Sequence, residues 1–240
     1  NIQSAQNITL TATAGSIGTS GNLLDIDLGS AGILNAAASS GVYLWEALGD
    51  MRLGLVKATA GDVVLKAQLS ITDEDAGADN VDVEGNSITL TAIVNGIGAA
   101  GDELDINSRL NGTGTVTSTS SFGNLYMNEA TGDLYLNTIG TGDTSTAFVS
   151  ALTGAIVDAR TDLNTFNILS GRVYLFAAQD IGSSAAPIST KISNVEGRST
   201  GGSSYIRNTG HLTVGGVTGS SEKYEVSGEA EFITLSPLTI

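Results

Sequence analysis

Cysteine is absent from the 240 residues. That removes disulfide frameworks, cysteine-based zinc sites and thiol catalysis, and it leaves the compartment open. Basic residues are few, ten against 25 acidic ones, for a formal net charge of −15. A phosphate backbone binds clustered Lys and Arg, so nucleic acid is excluded as a partner. No apolar run approaches the ~18 residues a membrane span requires, so no membrane insertion is expected. No window carries apolar residues at sustained three-four spacing with helix caps, so little helix is expected. The many glycine pairs lack the Lys-Ser/Thr ending of a phosphate loop, and no nucleophile elbow is written. Aromatic residues reach only 5%, and no Trp or tyrosine-corner pattern recurs of the kind that marks immunoglobulin-like domains.

What is present is apolar, small and repeated. Hydrophobic residues make up 41% of the chain, and 31 residues are glycine. That content is too apolar for an acidic disordered tail. The stretch NIQSAQNITL opens inside a strand-like pattern without a basic segment leading into an apolar run. The expectation is a mature or excised piece of something longer.

Self-similarity decides the architecture. ITLTATAGSIGTSGNLLDI (8 to 26) stands beside ITLTAIVNGIGAAGDELDI (88 to 106), and Ile8, Thr9, Leu10, Thr11, Ala12, Ile17, Gly18, Gly21, Leu24, Asp25 and Ile26 all recur 80 positions later. A third copy begins at VYLFAAQDIGSSAAPIS, from Val173. A second motif, GVYLWEALGDMRLG (41 to 54), returns as GNLYMNEATGDLYLN (123 to 137) and SYIRNTGHLTVGG (204 to 216). Within each unit, alternating apolar runs of four to six residues start near 8, 23, 33, 42, 51, 63, 81 and 88, each bounded by Gly, Asn, Asp or Ser. Such runs are short strands separated by turns.

Alternation fixes which side chains point inward. Val42 and Leu44 share one face with Met51 and Leu53 after the turn, and Leu125, Met127, Leu134 and Leu136 repeat them. Tyr43, Trp45 and Arg52 take the other face, where the copies vary freely. Strands this short cannot bury much alone, but stacking coil upon coil pairs each with the next around a common aliphatic core. The predicted fold is therefore all-β: a right-handed parallel β-helix, or β-solenoid, with roughly 20 residues per coil. It forms a single elongated segment over 1–240 with three imperfect super-repeats of about 80 residues, at 8–87, 88–172 and 173–240, the last truncated. At that coil size a unit would hold about four coils and the rod about 10–12, some 50–60 Å long. An antiparallel β-sandwich pair is the rival, and it leaves the long repeat unexplained.

The stretches GVYLWEALGDMRLGLVKATAGDVVLKAQLSITD (41 to 73), VEGNSITLTAIVNGIGAAGDELDI (83 to 106) and GNLYMNEATGDLYL (123 to 136) resemble the repeats of filamentous-haemagglutinin-like and giant adhesin-like bacterial surface exoproteins. The resemblance implies a right-handed β-helix, export to the bacterial surface, and work as a stalk, adhesive fibre or matrix component.

The acidic stretch ITDEDAGADNVDVEG is the candidate metal site. Asp73, Asp75 and Asp79, with Glu74 between them and Asp82 and Glu84 beyond, offer the clustered oxygens calcium takes. The spacing fits neither an EF-hand nor the nonapeptide calcium β-roll, and a solvated acidic turn is the plainer reading. Asp25 and Asp105 occupy equivalent repeat positions and read as structural corners. His211 falls where the other copies carry Asp50 and Asp133, so it reads as an exposed turn residue rather than a general base. Acids recur at repeat-equivalent corners without basic residues gathering beside them, so no catalytic residues and no enzyme activity are predicted. Tyr43 and Trp45 could face a surface glycan or cover a sheet face. The functional expectation is a non-catalytic structural segment of an extracellular filament or adhesin, partnered by copies or flanking repeats of itself. The alternative is a carbohydrate-binding or calcium-dependent adhesive module, with a polysaccharide lyase or hydrolase a more distant third.

Overall fold

In the computed structural model, which describes residues 2–4, 6–74, 80–160, 162, 164–219, 224–234 and 236–239, the chain winds into a β-solenoid of about 10 coils with roughly 23 residues per coil. Two sheets run its length, and neighbouring strands in both are parallel. Sheet I stacks β1 (Ile2–Gln3), β3 (Leu24–Asp27), β5 (Val42–Glu46), β7 (Val63–Ala67), β10 (Ile88–Ala92), β12 (Val116–Ser120), β14 (Leu134–Gly140), β17 (Ile168–Leu169), β19 (Ile188–Lys191), β21 (Ser204–Asn208) and β24 (Ala230–Thr234), with β16 (Ile156–Asp158) also paired to β14. Sheet II stacks β2 (Ile8–Ala12), β4 (Leu34–Ala38), β6 (Met51–Ala58), β9 (Val83–Glu84), β11 (Leu104–Asn107), β13 (Leu125–Glu129), β15 (Thr146–Ala151), β18 (Arg172–Ala177), β20 (Asn194–Ser199), β22 (Leu212–Val214) and β25 (Leu238–Thr239). In this sheet β8 (Ile71–Asp73) joins β6, and β23 (Tyr224–Val226) joins β20.

Alternation places the core as expected. Val42 lies over Val63, Val63 over Ile88 and Ile88 over Val116, all fully buried. Each apolar side chain is covered by its copy a coil above and below as well as by the facing sheet, so like stacks on like. Tyr43 and Trp45 stay half-exposed between buried neighbours.

Two details differ from the sequence-based expectation. Coils are longer than expected because their corners vary: the coil that carries Ile188 onto Ile206 is short, and the one that carries Ile139 onto Ile168 is much longer. The super-repeat is also not four coils. β2 sits in sheet II, its copy β10 in sheet I, and the third copy β18 in sheet II again. The second motif alternates in the same way through β5, β13 and β21. Each unit is seven strand positions along the winding path, or three and a half coils, so repeat-equivalent residues face opposite sides of the solenoid.

One glycine shows how the repeat is read structurally. Gly18, Gly98 and Gly182 all adopt positive φ, near 65°. A Cβ at these positions would collide with the carbonyl oxygen of Tyr43, Tyr126 and Tyr205 respectively. The left-handed conformation and the close approach to the next coil both demand glycine, and they occur at the same point of each unit.

Candidate functional site: the capped corners

Each coil leaves backbone N–H groups at the strand entries, where the sheet ladder ends, and a buried donor must find an acceptor. The sequence supplies one repeatedly. The residue preceding a strand is often Asn, Asp or Ser, and its side-chain oxygen accepts an N–H from the next coil. Asn7 Oδ1 receives Ile33 at 3.0 Å, Asp50 Oδ1 receives Ser70 at 3.0 Å, and Asp62 Oδ1 receives Ser87 at 3.0 Å. Asn124 takes Thr146, Asp133 takes Ala155, Asn167 takes Ser189 and Asp180 takes Ser203, all at 2.7–2.9 Å. Only acceptors can do this, which is a physical reason for an excess of acids over bases at the corners. These carboxylates are coil-to-coil fasteners rather than a solvated fringe.

Three glutamates go further and are buried, Glu46 and Glu129 on the core face and Glu196 on the outer face. Glu46 ends β5 at 1% exposure, in a column between Ile26 and Ala67. Its Oε2 accepts Leu28 N–H at 2.8 Å, and its Oε1 accepts Leu48 and Gly49 N–H at 3.1 Å each. Glu129 holds the repeat-equivalent place at the end of β13, fully buried between Ile106 and Ala151. Its Oε1 accepts Ser108 N–H at 2.7 Å, while Oε2 is buried with no hydrogen-bond partner among the described residues. Burial pushes the Glu129 carboxyl up to about 7, against the pull of Ser108 and the Arg109 charge. Glu196, on β20, is covered by the segment that follows β22 and accepts Val217 and Thr218 N–H plus the Thr218 hydroxyl. Burial alone would raise it, but those bonds outweigh burial and hold it below the usual carboxylate range. In the third motif copy the position is Asn208, at 1% exposure, whose amide caps Ile192, Gly210 and His211. Sequence reasoning did not single these residues out. The parity that buries Val42 and Leu44 also points Glu46 inward, and it was the available signal.

Of the candidate metal ligands, Asp73 is half-buried at the end of β8; Asp75 and Asp79 fall outside the described residues. In the second unit β16 is the counterpart of β8, with Asp158 at the position of Asp73. There the Arg160 guanidinium is bidentate to Asp158, at 2.9 and 2.6 Å, and Asn167 Nδ2 donates to Asp158 at 2.8 Å. Burial works to raise Asp158, but these bonds hold it below the ordinary carboxylate range. Among the described residues no group of three or more His, Asp or Glu side chains converges in a way that could hold a metal ion.

The remaining candidates are placed as follows. Asp25 and Asp105 lie within strands, stacked on Trp45 and Asn128, rather than at corners. Lys66 Nζ sits 4.6 Å over the Trp45 ring, covering one of its faces. A separate aromatic ladder climbs sheet II, with Tyr126 and Phe148 stacked at 4.6 Å and Phe148 and Tyr174 at 6.0 Å. His211 is exposed, with Nε2 3.2 Å from Thr239 Oγ1, and it shares a recess with Asp143 and Lys191. Among the described residues no helix is long and apolar enough to cross a membrane. No protein-family model, no curated protein and no solved structure matches this chain.

Proposed function

We propose that this chain is a structural segment of an extracellular bacterial filament or adhesin, without catalysis of its own, whose role is to carry length and display surface. The observation that supports this reading is the pair of unbroken parallel ladders, riveted from coil to coil by side-chain caps. In such an arrangement load applied along the winding axis is shared among many backbone hydrogen bonds, and every coil shields its neighbours from proteolysis. About 10 coils at ~4.8 Å each would span roughly 50 Å. Further coils, from flanking repeats or another copy, would extend the same ladders. Electron microscopy of the native material tests this reading, and fibres of solenoid width are expected. Discrete globular particles would contradict it. Two measurements separate it from a calcium-dependent or carbohydrate-binding module. Thermal melting with and without chelator is expected to agree within about 1 °C, and glycan arrays are expected to stay blank. A melting shift of several degrees, or a specific glycan signal, would favour the adhesive module.

A further inference from the structure

Glu129 does nothing for the ladder that a glutamine could not do, and among the described residues it is the one fully buried glutamate whose second oxygen completes no hydrogen bond; the Ser108 hydroxyl close by, also without a completed bond, pulls the carboxyl down by less than burial raises it. Its surroundings disfavour a charge. The column holds Ile106 on one side and Ala151 on the other. β15 contributes no ionisable residue, and across the core β12 contributes Val116, Ser118 and Ser120. The charged and titratable groups nearby are Asp105 on the outer side of β11, Arg109 in the following corner, Asp133 in the turn after β13 and Tyr135 on β14. Arg109, the lone cation among them, is committed elsewhere: its guanidinium lies 3.5 Å over the Tyr135 ring and donates to the carbonyls of Gly112 and Gly114. Beside the carboxyl is a recess of about 440 Å³ lined by Ser108, Arg109, Gly112, Thr131, Asp133 and Tyr135. Ser108, whose N–H donates to Glu129, is thus also part of the wall that separates it from water.

We propose that Glu129 is a proton-operated latch: while its carboxyl holds a proton, the corner 107–114 stays closed over β13, and release of that proton to solvent opens the corner by admitting water through the recess beside Ser108. The change is local, because Glu46 and Glu196 keep their several N–H donors. It does not depend on the filament reading of the whole chain. Burial that raises the carboxyl to about 7 places the transition near neutral pH, and each pH unit between the open-state and closed-state values shifts the opening equilibrium tenfold.

Hydrogen–deuterium exchange on the full chain, corrected for intrinsic rates, tests the latch. Between pH 6 and pH 8 protection in peptides covering 104–114 and 128–133 is expected to fall roughly tenfold, while peptides around Glu46 hold steady. Glu129→Gln is expected to abolish the fall. A pH-independent wild type, or an unchanged fall in the variant, would overturn the proposal. Should Glu129→Gln fail to fold, the carboxyl ¹³C shift of Glu129 in the wild type decides: a midpoint above pH 6 supports the latch, and an ordinary carboxylate midpoint rejects it.

Discussion

The corners that follow Glu46 and Glu129 are the same piece of sequence folded twice, and they handle a buried carboxylate differently. In the first, the turn Ala47–Asp50 folds back so that two of its N–H groups reach Glu46, and Leu28 supplies a third. In the second, Gly132 adopts φ +80 and donates to Thr153, while Thr131 donates to Asn107. The turn is drawn toward its neighbours, and Glu129 keeps a single backbone donor. An arginine also changes sides. In the first unit Arg52, on the strand, donates to the carbonyls of Gly29 and Gly32 in the preceding corner. In the second unit the strand position is Tyr135 and the arginine is Arg109 in the corner itself, at φ +60 where Gly29 has +59. Burying a carboxylate is tolerable when three donors meet it and costly when one does. Position in the repeat therefore does not determine how a buried carboxyl is served; the donors around it do.

The largest effect should come from removing the well-served carboxylate. Glu46→Ala takes the acceptor from three N–H groups, Leu28's buried and those of Leu48 and Gly49 part-buried, opens a cavity in the column, and is expected to cost about 4 kcal/mol. Circular-dichroism melting should register a drop of about 10 °C. A change within about 2 °C would mean that the corner relaxes freely.

Next comes pH dependence at the poorly served one. The folded Glu129 carboxyl binds its proton more tightly than in the unfolded chain, whose ordinary value is 4.5. Its contribution to stability is therefore whole below that pH and is lost as pH rises through about 7. Glu129→Gln should stabilise the protein at pH 8 by on the order of 2–3 kcal/mol and change little at pH 4. Equal effects at both pH values would break the contrast with Glu46.

Smaller effects test the arginine exchange. Gly29→Ala should cost about 1 kcal/mol because alanine must take positive φ. Arg109→Gly should change stability by less than about 1 kcal/mol, since relief of backbone strain offsets the lost stacking on Tyr135. Adding Tyr135→Arg to Arg109→Gly rebuilds the first unit's arrangement and should show a favourable coupling of about 0.5–1 kcal/mol in a double-mutant cycle. Strict additivity would mean that the two solutions are unrelated.

Much of the fold was legible because two-residue alternation and a long internal identity are strong signals. Val42, Leu44, Met51 and Leu53 declare a core face, and Ile8 to Ile26 declares a unit. The coil count per unit was not legible. Coil length varies from the short step between Ile188 and Ile206 to the long one between Ile139 and Ile168, and no residue marks which sheet a strand joins. The short strands at Ile71–Asp73 and Ile156–Asp158 were hidden for a related reason: each pairs with only half of a longer strand, β6 or β14. The corner chemistry was half legible. Asn, Asp and Ser announced turns, but their acceptor role depends on an N–H a full coil further along the chain, which only the stacking brings near. Glu129 differs from Glu46 through Thr131, Thr153 and Asn107, and no local reading of NEATGD contains that information.

The stacking itself can be measured directly. Asp25, Trp45, Lys66, Thr91, Thr119, Gly140, Leu169 and Lys191 form one outward column of sheet I. The chain has no cysteine, so pairs of introduced cysteines can carry spin labels for electron–electron distance measurement. Successive coils add ~4.8 Å, so Asp25→Cys with Thr119→Cys should give about 19 Å and Asp25→Cys with Lys191→Cys about 34 Å, each within a label's reach. Distances that fail to grow with the number of intervening coils would contradict the solenoid and everything built on it.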